Sequence, residues 1–123
     1  MHRSCLLLIC GCITLASAQQ TTKRPIGPGD VYRLQTISGL QVSPDGEWIA
    51  YTLSSIDSTK DKRNSDIWMI SRDGKQSVQL TNSPDPESQP RFSPDGKYIS
   101  FVAKRGEDKV SQVYLLDRRG GDA

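Results

Sequence analysis

The sequence predicts an all-β fold made of repeated four-stranded antiparallel blades, and three observations support this prediction. The tetrapeptide Ser-Pro-Asp-Gly occurs at residues 43–46 and again at 93–96, fifty positions later. Each copy precedes a run of β-branched and aromatic residues that alternates between two faces, as strands do. A further apolar run follows each copy, at 67–70 and 113–116. A repeat of about 40 to 50 residues with about four short strands is typical of a β-propeller blade.

The first eighteen residues have the pattern of a signal peptide. Arg3 supplies a positive charge, residues 5–15 are apolar, and Ala16-Ser17-Ala18 places small residues before Gln19. This order predicts cleavage before Gln19 and a periplasmic or secreted protein. The alternative is a lipoprotein, with residues 9–12 as the cleavage box and Cys12 as the lipidated residue. The apolar run is too short for a permanent membrane anchor, so we expect no membrane span after cleavage.

Cleavage of this segment would remove residues that several kinds of chemistry require. The segment contains the three cysteines and the single histidine of the chain, which are Cys5, Cys10, Cys12 and His2. The mature chain would therefore have no disulfide, no thiol nucleophile, no Cys/His metal site and no Ser-His-Asp triad. We expect no cofactor and no metal. A formal net charge of +2 is too small to indicate a nucleic-acid partner.

The remaining pattern predicts the order of the elements. A lead-in over 19–38 contains a short helix at about 31–38, with Asp30 as its N-cap and Gly39 as its end. Blade 1 follows over 39–81, a linker over 82–90, and a truncated blade 2 over 91–123. The strands predicted for blade 1 are 40–43, 48–53, 67–71 and 78–81, with a polar loop at 54–65. Blade 2 is expected to lack its last strand, which predicts a fragment with exposed apolar faces and poor solubility.

The repeated tetrapeptide is interpreted as a hairpin turn. Proline presets the φ angle of the first central position, aspartate tolerates the next, and glycine takes the left-handed conformation. A catalytic Ser43 or Asp45, or a metal held by Asp45 and Asp95, is the alternative. No base accompanies either serine, and equivalent positions on successive blades lie far apart. We therefore predict no catalytic residue and eight structural turn residues: Ser43, Pro44, Asp45, Gly46, Ser93, Pro94, Asp95 and Gly96.

The aromatic residues of the repeat are predicted to pack between blades. Trp48 corresponds to Tyr98 in the second copy, and Trp68 corresponds to Tyr114. A ligand cage is the alternative for these pairs. Glu87 stands alone in the predicted linker.

Residues 30–123 resemble the WD-like propeller repeats of TolB, tricorn-type proteases and prolyl oligopeptidase-family peptidases. The residues that carry the resemblance are Val-Ser-Pro-Asp-Gly at 42–46, Asp-Ile-Trp-Met-Ile at 66–70 and Val-Gln-Leu-Thr at 78–81. The segment Gln-Val-Tyr-Leu-Leu-Asp-Arg-Arg-Gly-Gly-Asp-Ala at 112–123 is similar to the acylaminoacyl-peptidase and dipeptidyl-aminopeptidase branch.

This resemblance implies an exported serine peptidase whose N-terminal propeller restricts access to a C-terminal α/β-hydrolase domain. That domain would carry the nucleophilic serine of a G-x-S-x-G turn, followed by aspartate and histidine. Its partners would be the remaining blades and the hydrolase domain of the same polypeptide, with peptides as substrates. Two alternatives stay open: a TolB-like periplasmic binding or scaffold propeller, and a propeller fused to an amidohydrolase.

Overall fold

The computed structural model describes residues 23–119, which form one short 3₁₀ helix and seven strands. The predicted signal peptide and residues 120–123 lie outside this range. The strands are β1 (Thr36–Val42), β2 (Trp48–Asp57), β3 (Lys62–Ser71), β4 (Ser77–Gln79), β5 (Glu87–Phe92), β6 (Tyr98–Ala103) and β7 (Gln112–Asp117). All strand pairs are antiparallel, which confirms the predicted all-β fold.

The strands form two sheets in simple chain order. The first sheet, blade 1, has the order β1-β2-β3-β4, and the second, blade 2, has β5-β6-β7 among the described residues. The first strand of each sheet is interrupted by a bulge at the same place in the repeat, after Ser38 and after Ser88. Gly39 and Gln89 both take a left-handed backbone there, with φ values of 64° and 57°. The repeat therefore extends upstream of the Ser-Pro-Asp-Gly turns.

The two sheets pack face to face through a shared apolar core. We call the face of each blade that carries Ile49 or Ile99 its leading face, and the opposite face its trailing face. The trailing face of blade 1 packs against the leading face of blade 2. The buried residues of this core are Ala50, Ile67, Met69, Ile99, Phe101, Ala103 and Leu116, with Trp48, Leu80, Phe92 and Tyr114 packed around them. Alternation along each strand explains the pattern, because every second side chain points to the same face.

The predicted helix at 31–38 is wrong in position and type. The structure has a 3₁₀ helix over Pro28–Arg33, and residues 36–38 already belong to β1. Asp30 is the third residue inside the helix, where its carboxylate accepts the N–H of Gly27 at 2.8 Å. Gly39 is part of the strand bulge and does not end a helix.

The polar stretch at 54–65 is mostly strand, where a loop was predicted. β2 and β3 stay paired as far as Asp57 and Lys62, so a tight turn of four residues joins two ten-residue strands. Asp57 supports this turn by accepting the N–H and the hydroxyl of Thr59, at 2.9 Å and 2.6 Å. The loop was predicted because the stretch is polar, but its residues 54–57 are half-buried in β2, and Asn64 and Ser65 of β3 form hydrogen bonds to the segment that leads to β5.

Substitution of Gly39 tests the packing of the bulge. A Cβ at Gly39 would lie 3.2 Å from Cδ of Pro90, which is fully buried and cannot move aside. Gly74 is a matched control, since its φ is 72° and a Cβ there would meet nothing within 4 Å. Both substitutions to alanine carry the backbone strain of a left-handed residue, about 1–2 kcal/mol. We expect Gly39→Ala to lower the free energy of unfolding by about 1 kcal/mol more than Gly74→Ala in urea titrations. Equal losses would contradict the close packing.

Candidate functional site

The two Ser-Pro-Asp-Gly segments form turns with the same hydrogen bonds. The Ser43 hydroxyl donates to Asp45 Oδ1 and accepts the N–H of Trp48 at 2.9 Å. The Ser93 hydroxyl likewise donates to Asp95 Oδ1 and accepts the N–H of Tyr98 at 3.0 Å. Each turn is closed by a glycine N–H on the serine carbonyl, at 2.9 Å and 2.8 Å.

A third turn of the same design connects β3 and β4. Its sequence is Ser71-Arg72-Asp73-Gly74, and the Ser71 hydroxyl donates to Asp73 at 2.7 Å while accepting the N–H of Gln76 at 3.0 Å. This turn lies between the predicted strands 67–71 and 78–81, and its connection with the other two was not predicted. The shared signal is Ser-x-Asp-Gly, in which the second residue is free to vary.

The electrostatics of these turns oppose nucleophilic chemistry. The serine hydroxyl and then a backbone N–H lower the pKa of Asp45, Asp73 and Asp95. These aspartates are therefore ionised acceptors at neutral pH, and each serine proton is engaged with a carboxylate. An activated serine would instead need a general base that accepts its proton during attack. The hydrogen bonds of these serine and aspartate side chains stabilise the three turns.

A polar cleft lies between the two blades on the side of the Ser-Pro-Asp-Gly turns. Its volume is about 610 Å³, and it is lined by Pro44, Asp45, Asp95, Gly96, Lys97, Tyr98, Arg118 and Arg119. Arg118 of blade 2 reaches Asp45 of blade 1 across it, with Nη1 3.5 Å from Oδ2. This ion pair joins the two blades at the edge that carries the Ser-Pro-Asp-Gly turns, which we call the rim.

A partly buried ion pair of blade 2 lies at the blade interface. Glu87 is completely buried, and its Oε1 lies 2.8 Å from Nη2 of Arg105. The Arg105 guanidinium stacks over the rings of Tyr114 and Phe101, at 4.2 Å and 5.4 Å from their centroids. These two rings also stack on each other at 5.7 Å. A buried carboxylate is tolerable because a cation held by two aromatic rings faces it.

Glu87 was predicted to stand alone in a linker over 82–90, and this is wrong. Glu87 begins β5, and residues 87–90 belong to that strand. Its partner Arg105 is eighteen residues away and follows β6. The first copy of the repeat has Ile37 and Ser55 at the corresponding positions, so the pair has no counterpart there. Comparison of the two copies could therefore not reveal it.

Hydrogen bonds hold the segment that connects the two blades to β3. Asn64 Nδ2 donates to the carbonyl of Ser83 at 2.8 Å, and the Ser65 hydroxyl donates to the carbonyl of Glu87, also at 2.8 Å. In return, the N–H of Ser83 donates to Asp66 at 3.2 Å. These bonds fix where β5 starts and thus place Glu87 at the interface.

Asp66 gives this connection a pH dependence. Burial raises the pKa of Asp66, the Glu87 charge adds to this, and the hydrogen bond from Ser83 opposes it. A raised pKa means that the folded state favours the protonated carboxyl, so stability is lost as the pH rises through the folded pKa. We expect Asp66→Asn to raise the urea midpoint at pH 7, because an amide oxygen can still accept from Ser83. This gain should shrink below about pH 4.

Asp57→Asn is the control for this prediction. Hydrogen bonds from Thr59 lower the pKa of Asp57, so its ionised form favours the fold. The same substitution there should bring no gain at pH 7. A gain at position 57, or none at position 66, would contradict the assignment.

The aromatic residues of the repeat lie on different faces. Trp48 and Tyr114 pack against the inter-blade core. Trp68 shares the leading face of blade 1 with its cross-strand neighbour Tyr51, and Tyr98 is 40% exposed on the trailing face of blade 2. Within residues 23–119, no group of three or more histidine, cysteine, aspartate or glutamate side chains is arranged to hold a metal ion. No helix in the same range is long and apolar enough to cross a membrane.

Similar proteins are peptidases and propellers. No family model matches the sequence. The uncharacterized peptidase YuxL of Bacillus subtilis is 32% identical over 82% of the chain. Dipeptidyl-peptidase 5 of Porphyromonas gingivalis is 29% identical over 73% of the chain. The chain spans only 15% and 13% of the lengths of these two relatives.

Similar solved structures include a protease β-propeller domain and a TolB protein. The β-propeller domain of the Trilobed protease from Pyrococcus furiosus matches with a TM-score of 0.59 and 26% identity, over 72% of this chain and 26% of that one. A TolB protein of Agrobacterium tumefaciens matches with a TM-score of 0.53 and 28% identity, over 70% of this chain and 31% of that one. By sequence the chain is similar to peptidases, and by fold it is similar to the β-propeller domains of a protease and of a TolB protein.

Proposed function

We propose that the chain is the N-terminal propeller portion of an exported serine peptidase. In this role it carries no catalytic group itself and restricts which substrates reach a C-terminal α/β-hydrolase domain. The observation that carries the proposal is the pair of Ser-Pro-Asp-Gly blades packed face to face, in a chain whose relatives are peptidases several times its length. The propeller and the chemistry would then lie in separate parts of one polypeptide.

The blade interface suits a gate that admits peptides and excludes folded proteins. Such a gate must resist opening, because a loosened ring would admit larger substrates. Apolar packing, the partly buried Glu87–Arg105 pair and the rim pair Asp45–Arg118 all act across or at this interface. Close packing gives low compressibility, so the blades should move as one rigid body.

A TolB-like binding propeller is the second candidate function, and the match to the TolB structure favours it. In that case the surfaces of the blades would bind a protein partner and no hydrolase domain would follow. The fold does not distinguish the two candidate functions, because blades of this kind are compatible with either one.

The sequence of the gene beyond codon 123 separates these candidates. A serine peptidase requires a G-x-S-x-G segment followed by aspartate and histidine in the same reading frame. A stop codon after a few further blades would overturn the peptidase proposal and favour the TolB-like one. A His-x-His metal motif would instead indicate the amidohydrolase fusion.

Export is part of the proposal and has its own test. Cleavage by signal peptidase predicts that the protein recovered from the periplasm or medium begins at Gln19. N-terminal sequencing and intact mass measure this directly. A mature protein that begins with a lipid-modified Cys12 would support the lipoprotein alternative, and an uncleaved cytoplasmic product would contradict export.

A further inference from the structure

We propose that the polar cleft at the rim binds a peptide carboxylate, which the guanidinium of Arg118 holds. The carboxylate is either the free C-terminus of the peptide or an acidic side chain, since both present the same group. The proposal does not depend on the hydrolase domain of the proposed function, because the two blades of this chain form the cleft by themselves.

The cleft has the size of a binding site for a small ligand or a peptide end. Its volume is about 610 Å³, and such sites usually measure about 300–1,000 Å³. Both blades supply its walls, with Pro44 and Asp45 from blade 1 and Gly96, Lys97 and Arg118 from blade 2. These walls lie at the junction where the two blades already pack on each other. The cleft is therefore a property of the blade pair and not of an open blade face.

The fold holds Arg118 in position beside this cleft. Its backbone N–H donates to the carbonyl of Lys97 at 2.9 Å. Gly96 lies next to the guanidinium, since a Cβ at this glycine would lie 4.0 Å from Nη1 of Arg118. The Arg118 side chain is 25% exposed, whereas its counterpart in the repeat, Arg72, is 74% exposed. A side chain that is already packed loses less rotamer freedom when a ligand binds.

The guanidinium of Arg118 has hydrogen-bonding capacity that Asp45 does not use. Within residues 23–119, its ion pair is a single contact of 3.5 Å from Nη1 to Oδ2 of Asp45. That distance is at the upper limit for a hydrogen bond. A guanidinium can bind both oxygens of a carboxylate through two parallel N–H donors, which is a stronger arrangement. A ligand carboxylate can therefore compete with Asp45 for this side chain.

The other cations of the cleft are occupied by acids of their own. Arg119 donates to Asp117 from Nε and Nη2, at 3.1 Å and 2.9 Å. The Lys97 ammonium lies 3.9 Å from Asp95. Arg118 is thus the cation on which a ligand anion would act. Two aspartates line the cleft, and they would repel a doubly charged phosphate more strongly than a singly charged carboxylate.

Three peptides test the binding and identify the source of the carboxylate. They are acetylated tetra-alanine with a free C-terminus, the same peptide with a C-terminal amide, and the amide with one alanine replaced by glutamate. Each is titrated into the ¹⁵N-labelled 123-residue chain, and the NMR signal of the Arg118 side-chain Nε–H is followed. This signal is assigned by its loss in Arg118→Gln.

We expect the free-acid peptide to shift this signal and to bind at least about tenfold more tightly than the amide, because the amide lacks the charged acceptor. Binding of the glutamate peptide as tight as that of the free acid would show that any peptide carboxylate fits. Binding as weak as that of the plain amide would assign the cleft to the C-terminus. Both results agree with the proposal.

Two variants of the pair should change the affinity in opposite directions. Arg118→Gln should weaken binding of the free-acid peptide at least about tenfold. Asp45→Asn should tighten it about two- to fivefold, because it removes the competing carboxylate. The amide oxygen of asparagine can still accept the N–H of Glu47 within the turn, which Asp45 accepts at 3.0 Å.

The repeat supplies a matched control for each variant. Arg72→Gln changes the counterpart of Arg118, and Asp73→Asn changes the aspartate of the third turn; neither residue lines the cleft. Both should leave the affinity unchanged. Far-UV circular dichroism checks that all four variants keep the fold.

Four results would overturn the proposal. The free-acid peptide could leave the Arg118 signal unmoved at tens of millimolar. It could bind no more tightly than the amide. Arg118→Gln could bind as well as the unmodified chain. Inorganic phosphate could bind more tightly than the free-acid peptide, which would indicate a general anion site.

Discussion

Arg105→Ala is expected to lower the free energy of unfolding by about 3–5 kcal/mol, because it leaves the completely buried Glu87 carboxylate without its cation. The stacking of the guanidinium on Tyr114 and Phe101 is lost as well. Urea titration followed by circular dichroism measures the loss. Removal of the charge should recover part of it, so the double variant Arg105→Ala, Glu87→Gln is expected to be more stable than Arg105→Ala alone.

The size of this loss is judged against an exposed ion pair. Arg72→Ala is the matched control, since the Arg72–Glu47 pair is exposed on both sides and should contribute no more than about 0.5 kcal/mol. A loss for Arg105→Ala as small as that for Arg72→Ala would contradict the structural role of the buried pair.

Phe101→Ala should have a comparable effect through packing. Phe101 is 1% exposed, lies in the core between the blades, and stacks on Tyr114. Truncation of a buried phenylalanine to alanine costs about 3–5 kcal/mol, from the lost transfer energy and the cavity that remains. The same urea titrations measure this loss.

The control for this packing prediction is Val110→Ala. Val110 is 63% exposed in the segment between β6 and β7, so its truncation should change stability by less than about 0.5 kcal/mol. If Phe101→Ala proved equally mild, the two sheets would not share a core, and the face-to-face arrangement would be wrong.

The fold was predictable because its main signals are local. Turn residues at a fixed interval and alternating apolar strands specify antiparallel blades before any long-range contact is known. Gly39 and Gln89 both have a left-handed backbone, and this correspondence extends the repeat upstream. Only glycine is a residue type that indicates such a backbone from the sequence. The bulge was therefore interpreted as the end of a helix.

The polar features of the interface were not predictable in the same way. Glu87 and Arg105 meet only because β5 and β6 pair and because Ser65 and Asn64 fasten the preceding segment to β3. No spacing rule links a glutamate to an arginine eighteen residues later across two strands. The long β2–β3 hairpin was missed for a related reason, since its outer half is polar and lacks the alternation that marks a half-buried strand.

The most direct test of the account is an activity measurement on the 123-residue chain beside the polypeptide that its full gene encodes. Chromogenic peptides would be the substrates, with a serine-directed phosphonate as inhibitor. We predict no hydrolysis by the chain alone, and inhibitor-sensitive hydrolysis by the full polypeptide. Inhibitor-sensitive hydrolysis by the chain itself would contradict the central claim that its serines serve turns and that the chemistry lies elsewhere.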